Sequence, residues 1–203
     1  MEFVRMGIVY AHLISCCVAI GLVLTSDIAM VKGFFERQSG LPDDTHLPQL
    51  QRSVSRALVG LWITGISVTL LDASTQGMAY FLNPKLQAKI AIVVLLTING
   101  VVLHRAVLPG LHAAGSLLNL ELKPRLVATF TGVVSGVSWF FAALLGVGKP
   151  LSWKYSFTEI LAGFPILILF GFFGMLVITA MAKFKRQSES TDGLIQQELF
   201  SNQ

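Results

Sequence analysis

The stretch Ile160 to Met181, ILAGFPILILFGFFGMLVITAM, decides the fold. It runs 22 residues without one Asp, Glu, Lys or Arg. As a helix it is about 33 Å long at ~1.5 Å per residue, enough to cross a hydrocarbon core of ~30 Å. A helix at a soluble protein's surface would carry a polar face, and this one has none. Phe164, Phe170, Phe172 and Phe173, with Pro165 near the start, give it the character of a lipid-facing helix with a proline kink.

Four further apolar runs precede it: Gly7 to Ser26, Ser55 to Leu71, Ile90 to Leu108 and Leu126 to Val147. Across all 203 residues 54% are apolar and only 13% charged, with a mean hydropathy of +0.70. So few charges cannot cover a water-facing surface, which excludes an ordinary soluble enzyme and a disordered chain. The pI near 9.3 does not imply nucleic acid, because the bases flank helices instead of forming a stripe. The lipid bilayer is the partner composition demands. Fold class is therefore all-α: a polytopic membrane bundle of five transmembrane helices. It forms a single domain over residues 1–186, its first four helices making the core, followed by a polar, poorly ordered cytoplasmic tail over 187–203.

The first run is read as a retained helix and not a signal peptide, since Glu2 opposes Arg5, no small-x-small site follows, and His12 interrupts it. Lys and Arg set the orientation. Ten of them flank one set of helix ends and five the other, which puts the N-terminus outside and the C-terminus in the cytoplasm. The connection holding Leu41-Pro42-Asp43-Asp44 reads as a polar loop, with His46 solvated in it. Pro109, Gly110, Gly115 and Pro124 read as helix boundaries around a Gly-rich loop that carries a solvated His112. A faint duplication sets Thr64-Gly65-Ile66-Ser67 against Ser135-Gly136-Val137-Ser138, and Gly21-Leu22-Val23-Leu24 against Gly100-Val101-Val102-Leu103. Small residues at such positions permit close helix approach.

Ionisable side chains inside membrane helices cost on the order of 3 kcal/mol each, so they are the candidate site residues. At 100° per residue, His12, Cys16, Ile20, Val23 and Asp27 share one face of the first helix. Lys89, Val93, Thr97, Gly100 and His104 share one face of the third. The two helices run in the same direction, so His12 and Lys89 lie at one depth and Asp27 and His104 at the other. If the faces meet, Asp27 pairs with His104 or Arg105, and His12 approaches Lys89 with Asp72 available to balance the charge. The alternative is that each group snorkels to its interface. His12 and Cys16, four apart, could share a metal ion, with Met6 or Met78 as a soft donor for copper(I). Otherwise Cys16 and Cys17 are small apolar fillers. About 20 Å separates His12 and His104 along the membrane normal, so they cannot hold one haem as a bis-histidine pair. A haem b on His12 with a second ligand such as Met78 stays open. Trp62, Trp139 and Trp153 read as packing or interface anchors. There is no phosphate loop, no Gly-x-Ser-x-Gly and no zincin helix.

Arg56 leading into Thr64-Gly65, Leu86-Gln87-Ala88-Lys89 opening an apolar helix, Asn99 and His104-Arg105 with Pro109 closing it, and Leu144-Leu145-Gly146 before Pro150 form an ordered set. It resembles the copper-resistance D-type (CopD-like) bacterial inner-membrane domain, and more weakly the HemJ-type protoporphyrinogen oxidases. The latter likeness maps an early histidine onto His12 and a helix-opening lysine onto Lys89. Residues 5 to 150 carry the resemblance. Asn83-Pro84-Lys85 stands where the copper family has a Tyr-Gly-Arg type of segment, and the oxidases' closing Asn-Glu-x-x-Pro is missing. The resemblance implies a shared fold more than an activity; with the polar stripe on helices one and three, the leading reading is a multi-pass protein of the bacterial inner membrane that handles a metal ion, copper first, or a proton-linked solute. Two other readings stand beside it: a haem- or porphyrin-linked redox protein, and a non-catalytic accessory subunit of a larger complex or homo-oligomer.

Overall fold

The computed structural model describes residues 2–35, 46–148, 151 and 153–201. The Leu41-Pro42-Asp43-Asp44 connection, Arg37, Lys149 and Pro150 lie outside them. Among the described residues the chain is helical, with no strand: α1 (Glu2–Phe35), α2 (His46–Gln76), a 3₁₀ turn (Met78–Leu82), α3 (Pro84–Val102), a π-helical turn (Leu103–Val107), α4 (Leu108–Ala114), a second 3₁₀ turn (Leu117–Asn119), α5 (Leu122–Val147) and α6 (Phe157–Ser201). Five spans within these are long and apolar enough to cross a membrane, the architecture of a multi-pass membrane protein.

Local chemistry explains several ends. The Asn83 side chain accepts from the Lys85 amide at 3.0 Å and Pro84 opens α3, a capped start with the missing N–H where none is needed. Ahead of α6, Ser156 and Glu159 close a reciprocal capping box: the Ser156 amide donates to Glu159 Oε2 at 2.7 Å and the Glu159 amide to Ser156 Oγ at 3.4 Å.

Several expectations change. Pro109 does not end the third span, because the chain passes through it by the π turn. There the Leu108 amide reaches back five residues to the Leu103 carbonyl. Widening the turn relieves the clash a proline ring makes with the carbonyl four residues earlier. His112 is consequently an exposed residue of α4, not of a loop, and His46 is the first residue of α2. The polar segment expected as a poorly ordered tail continues α6 to Ser201, since Gln, Glu and Leu there favour helix. The fifth helix also does more than face lipid: Phe170 is 80% exposed, but Ile160, Phe164 and Ala182 are buried against the bundle.

The helices form two layers. α1 and α2 pack along each other, while α3, α5 and α6 pack together, and α1 reaches across to α5 and α6. One core joins Ala88 and Ile92 of α3 to Phe141 and Leu145 of α5 and Phe164 of α6. A second gathers Phe34, Val107, Leu111, Ala128 and Ala182 at the Asp27 end. A third, of Ala19, Leu61, Leu96 and Trp139, draws on the first four membrane helices, α1, α2, α3 and α5. Contact between α5 and α6 depends on Gly171, where an added Cβ would stand 2.9 Å from Val133 Cγ1. Valine is stiff at χ1 and cannot swing away. Gly171→Ala is expected to lower stability in detergent by about 1–3 kcal/mol, as overpacked sites do. Adding Val133→Ala should restore part of the loss in the same thermal melt.

Candidate functional site: a polar seam along α1

The seam begins with a hydrogen bond of 2.8 Å between His12 Nδ1 and Thr64 Oγ1 on α2. Thr64 spends its own proton on the Gly60 carbonyl, at 2.6 Å. Its oxygen must therefore accept, so His12 carries its proton on Nδ1 and, when neutral, leaves Nε2 as the basic nitrogen. Two glycines of α2 line this approach. A Cβ on Gly60 would lie 3.0 Å from Ser15 Oγ, and one on Gly65 would touch the imidazole at 3.4 Å. Lys89 on α3 lies close enough to both His12 and Cys16 to act on them electrostatically. The two faces do not meet each other as expected: His12 bonds Thr64 of α2, and Thr97 and His104 of the α3 face likewise meet Trp62 and Ser55 of α2.

Asp72 does something else. It was expected to balance His12 and Lys89, but it pairs with Arg5: Nε to Oδ1 at 2.6 Å and Nη2 to Oδ2 at 3.2 Å. Tyr80 from the 3₁₀ turn donates to the same Oδ2 at 3.2 Å. Arg5 precedes His12 by seven residues, two helical turns on the same face, so its fork reaches Asp72 first. Burial and the neighbouring Asp72 carboxylate push the Tyr80 phenol up from its usual value. Arg5 and Tyr80 were missed in the sequence because neither interrupts an apolar run. Beside this cluster α1 and α2 leave a cleft of about 520 Å³ lined by Glu2, Arg5, Met6, Val9, Leu71, Ser74 and Thr75.

At mid-depth Trp62 Nε1 donates to Thr97 Oγ1 at 3.1 Å, tying α2 to α3. Beyond it the expected pair does not form. Among the described residues no ion pair or hydrogen bond joins Asp27 to His104 or Arg105. Asp27 instead lies against α5, where a Cβ on Gly136 would be 3.5 Å from its Oδ2. His104 Nε2 is 3.4 Å from Ser55 Oγ on α2, and Arg105 is exposed. Helical phase gave the faces correctly but not which neighbour each would meet.

Metal ligation has two candidate donors, His12 and the half-buried Cys16; Cys17 is exposed. Among the described residues no group of three or more His, Cys, Asp or Glu converges on a point where a metal ion could sit. Met6 and Met78 are largely exposed. No family model matches the chain, and comparison with curated proteins and with solved structures found no match either.

Two outcomes follow from this geometry. Arg5→Leu should destabilise more than Asp72→Asn, by about 1–3 kcal/mol in a detergent melt, because it leaves a buried carboxylate with only Tyr80 as a donor. A phenol whose folded pKa is raised contributes stability that is full below the unfolded value and lost as pH rises through the folded one. Absorbance titration of Tyr80 should accordingly show it ionising at lower pH in Asp72→Asn than in the parent. At the other end, the coupling between Asp27→Asn and His104→Ala in a double-mutant cycle should stay within about 0.5 kcal/mol.

Proposed function

We propose that the chain is a bacterial inner-membrane protein, N-terminus outside and C-terminus cytoplasmic, that carries a proton-linked small solute along the seam of α1. The observation that supports this best is the His12 geometry: Thr64 fixes the Nδ1 proton and leaves Nε2 able to take up and release one. Asp27, on the same face of α1 and without a charged partner among the described residues, is a second titratable group 15 residues on. Copper handling by His12 and Cys16 is the weaker branch. Two donors do not complete a site, and the Lys89 charge bears on both of them and opposes a cation.

One observation favours a second reading. An imidazole with a basic Nε2 and a lysine within electrostatic range suits a haem or porphyrin, whose iron the ring could ligate and whose carboxylate the lysine could hold. That agrees with the HemJ-type resemblance at His12 and Lys89. The accessory-subunit reading has no comparable support.

The test is proton flux into vesicles reconstituted with the full chain and loaded with a pH-sensitive dye, driven by a potassium diffusion potential. His12→Ala is expected to reduce flux at least tenfold while the protein still inserts and melts as before, because Thr64 keeps its bond to Gly60. Undiminished flux in His12→Ala sinks the proposal. A Soret band in the purified protein, lost in His12→Ala, moves the assignment to the haem reading.

A further inference from the structure

We infer that the cleft between the start of α1 and the end of α2 holds one phospholipid whose headgroup carries both a phosphate and an ammonium. The inference concerns a site apart from the seam and stands whatever the seam carries.

The cleft has the polarity of an amphiphile. Its volume of about 520 Å³ falls among small-molecule sites, which run from roughly 300 to 1,000 Å³. Glu2 and Arg5 line it from the first turns of α1, and Ser74 and Thr75 from the last turn of α2. Both helices are long and apolar enough to span a membrane, and these residues stand at their ends, where hydrocarbon gives way to water. Further in, the lining is Met6 and Val9 on α1 and Leu71 on α2. From Glu2 to Val9 it passes from charged to apolar over roughly 10 Å. A glycerophospholipid presents headgroup, glycerol and acyl chain in that order. A soluble polar molecule would leave the apolar half unfilled.

Both charges at the rim have bonding capacity to spare. Arg5 gives its Nε proton and one Nη2 proton to Asp72, which leaves Nη1 and the second Nη2 proton for a phosphate oxygen. The Arg5 side chain is 54% exposed and that of Asp72 10%, so the guanidinium can be reached while the carboxylate holding it is covered. Glu2 stands three residues before Arg5, on the same side of α1. Among the described residues no ion pair or hydrogen bond engages its carboxylate. Ser74 Oγ donates to the Leu71 carbonyl at 2.8 Å, and Thr75 Oγ1 to the Asp72 carbonyl at 3.0 Å. With their protons spent, both hydroxyls are left as acceptors, the complement of an ammonium. Asp72 already balances Arg5, so with Glu2 the rim carries no net positive charge. A purely anionic headgroup meets repulsion from Glu2, and a zwitterion brings that carboxylate its counter-charge.

The test titrates the full chain, purified in detergent, with phosphatidylethanolamine or with phosphatidylglycerol of the same acyl chains, and counts bound lipid by native mass spectrometry. The parent should hold one ethanolamine lipid at least about fivefold more tightly than the glycerol lipid, the scale of one exposed ion pair. Glu2→Gln, at an exposed position, should bring the two affinities within about twofold by removing that pair. Ser74→Trp fills the cleft without touching Arg5 or Asp72. It should weaken the ethanolamine lipid at least about fivefold with the lipid-free melt unchanged. Equal affinity for the two lipids in the parent overturns the inference, and so does a preference that Glu2→Gln leaves intact. Displacement of the lipid by an equal concentration of glycerophosphoethanolamine overturns it too, because the ligand is then a soluble zwitterion.

Discussion

The chain of bonds from His12 through Thr64 to the Gly60 carbonyl governs how close α1 and α2 can lie, and the rest of the seam inherits that spacing. In hydrocarbon an imidazole N–H without an acceptor costs several kcal/mol. Thr64 meets this need while satisfying its own proton within α2, so no other helix has to give up a backbone group. The ring lies against Gly65, and Gly60 leaves room for Ser15 one turn along α1. Side-chain hydrogen bonds between membrane helices contribute little each, on the order of 0.6–2 kcal/mol. Spacing and tautomer matter more here than the strength of the bond.

Much of this was legible in the sequence. Mainly apolar runs marked the five spans, because the bilayer forces every spanning helix to be apolar over a fixed length. A period of 100° put His12, Cys16 and Asp27 on one face, and that face does turn inward. The choice of neighbour was not legible. Periodicity fixes a rotation about one helix axis and says nothing of which helix stands opposite. Asp27 accordingly meets Gly136 of α5 instead of His104 of α3, and Asp72 meets Arg5. Pro109 was read as a stop because the rule for proline assumes an α-helical turn, and a π turn evades it.

The two ends of the seam differ in sign. At the His12 end Arg5 and Asp72 cancel, so the cation that bears on His12 and Cys16 is Lys89. At the far end Asp27 supplies an acidic group, and His104 Nε2 lies 3.4 Å from the Ser55 hydroxyl. A cation would be repelled at one end and attracted at the other, whereas a proton can bind the basic nitrogen of His12 without needing a site of several ligands. That asymmetry is why proton linkage fits the seam better than metal passage.

The faint internal duplication gains a physical meaning from these contacts. Its two matched glycines, Gly65 on α2 and Gly136 on α5, are the residues against which α1 lays His12 and Asp27. Both follow a hydroxyl residue, Thr64 and Ser135, and both lie where a methyl group would touch the ionisable side chain. A small residue could serve helix packing alone, and Gly171 against Val133 shows that use. At Gly65 and Gly136, however, the space goes to a titratable group and not to a neighbouring backbone or an aliphatic side chain. α1 thus presents its two ionisable groups to two similar hollows on opposite layers of the bundle, with Ala19 between them. Both groups ride on one continuous helix, so a shift of α1 moves both contacts together. Coupling between the two ends therefore needs no intervening relay of polar side chains, only the rigidity of α1 itself.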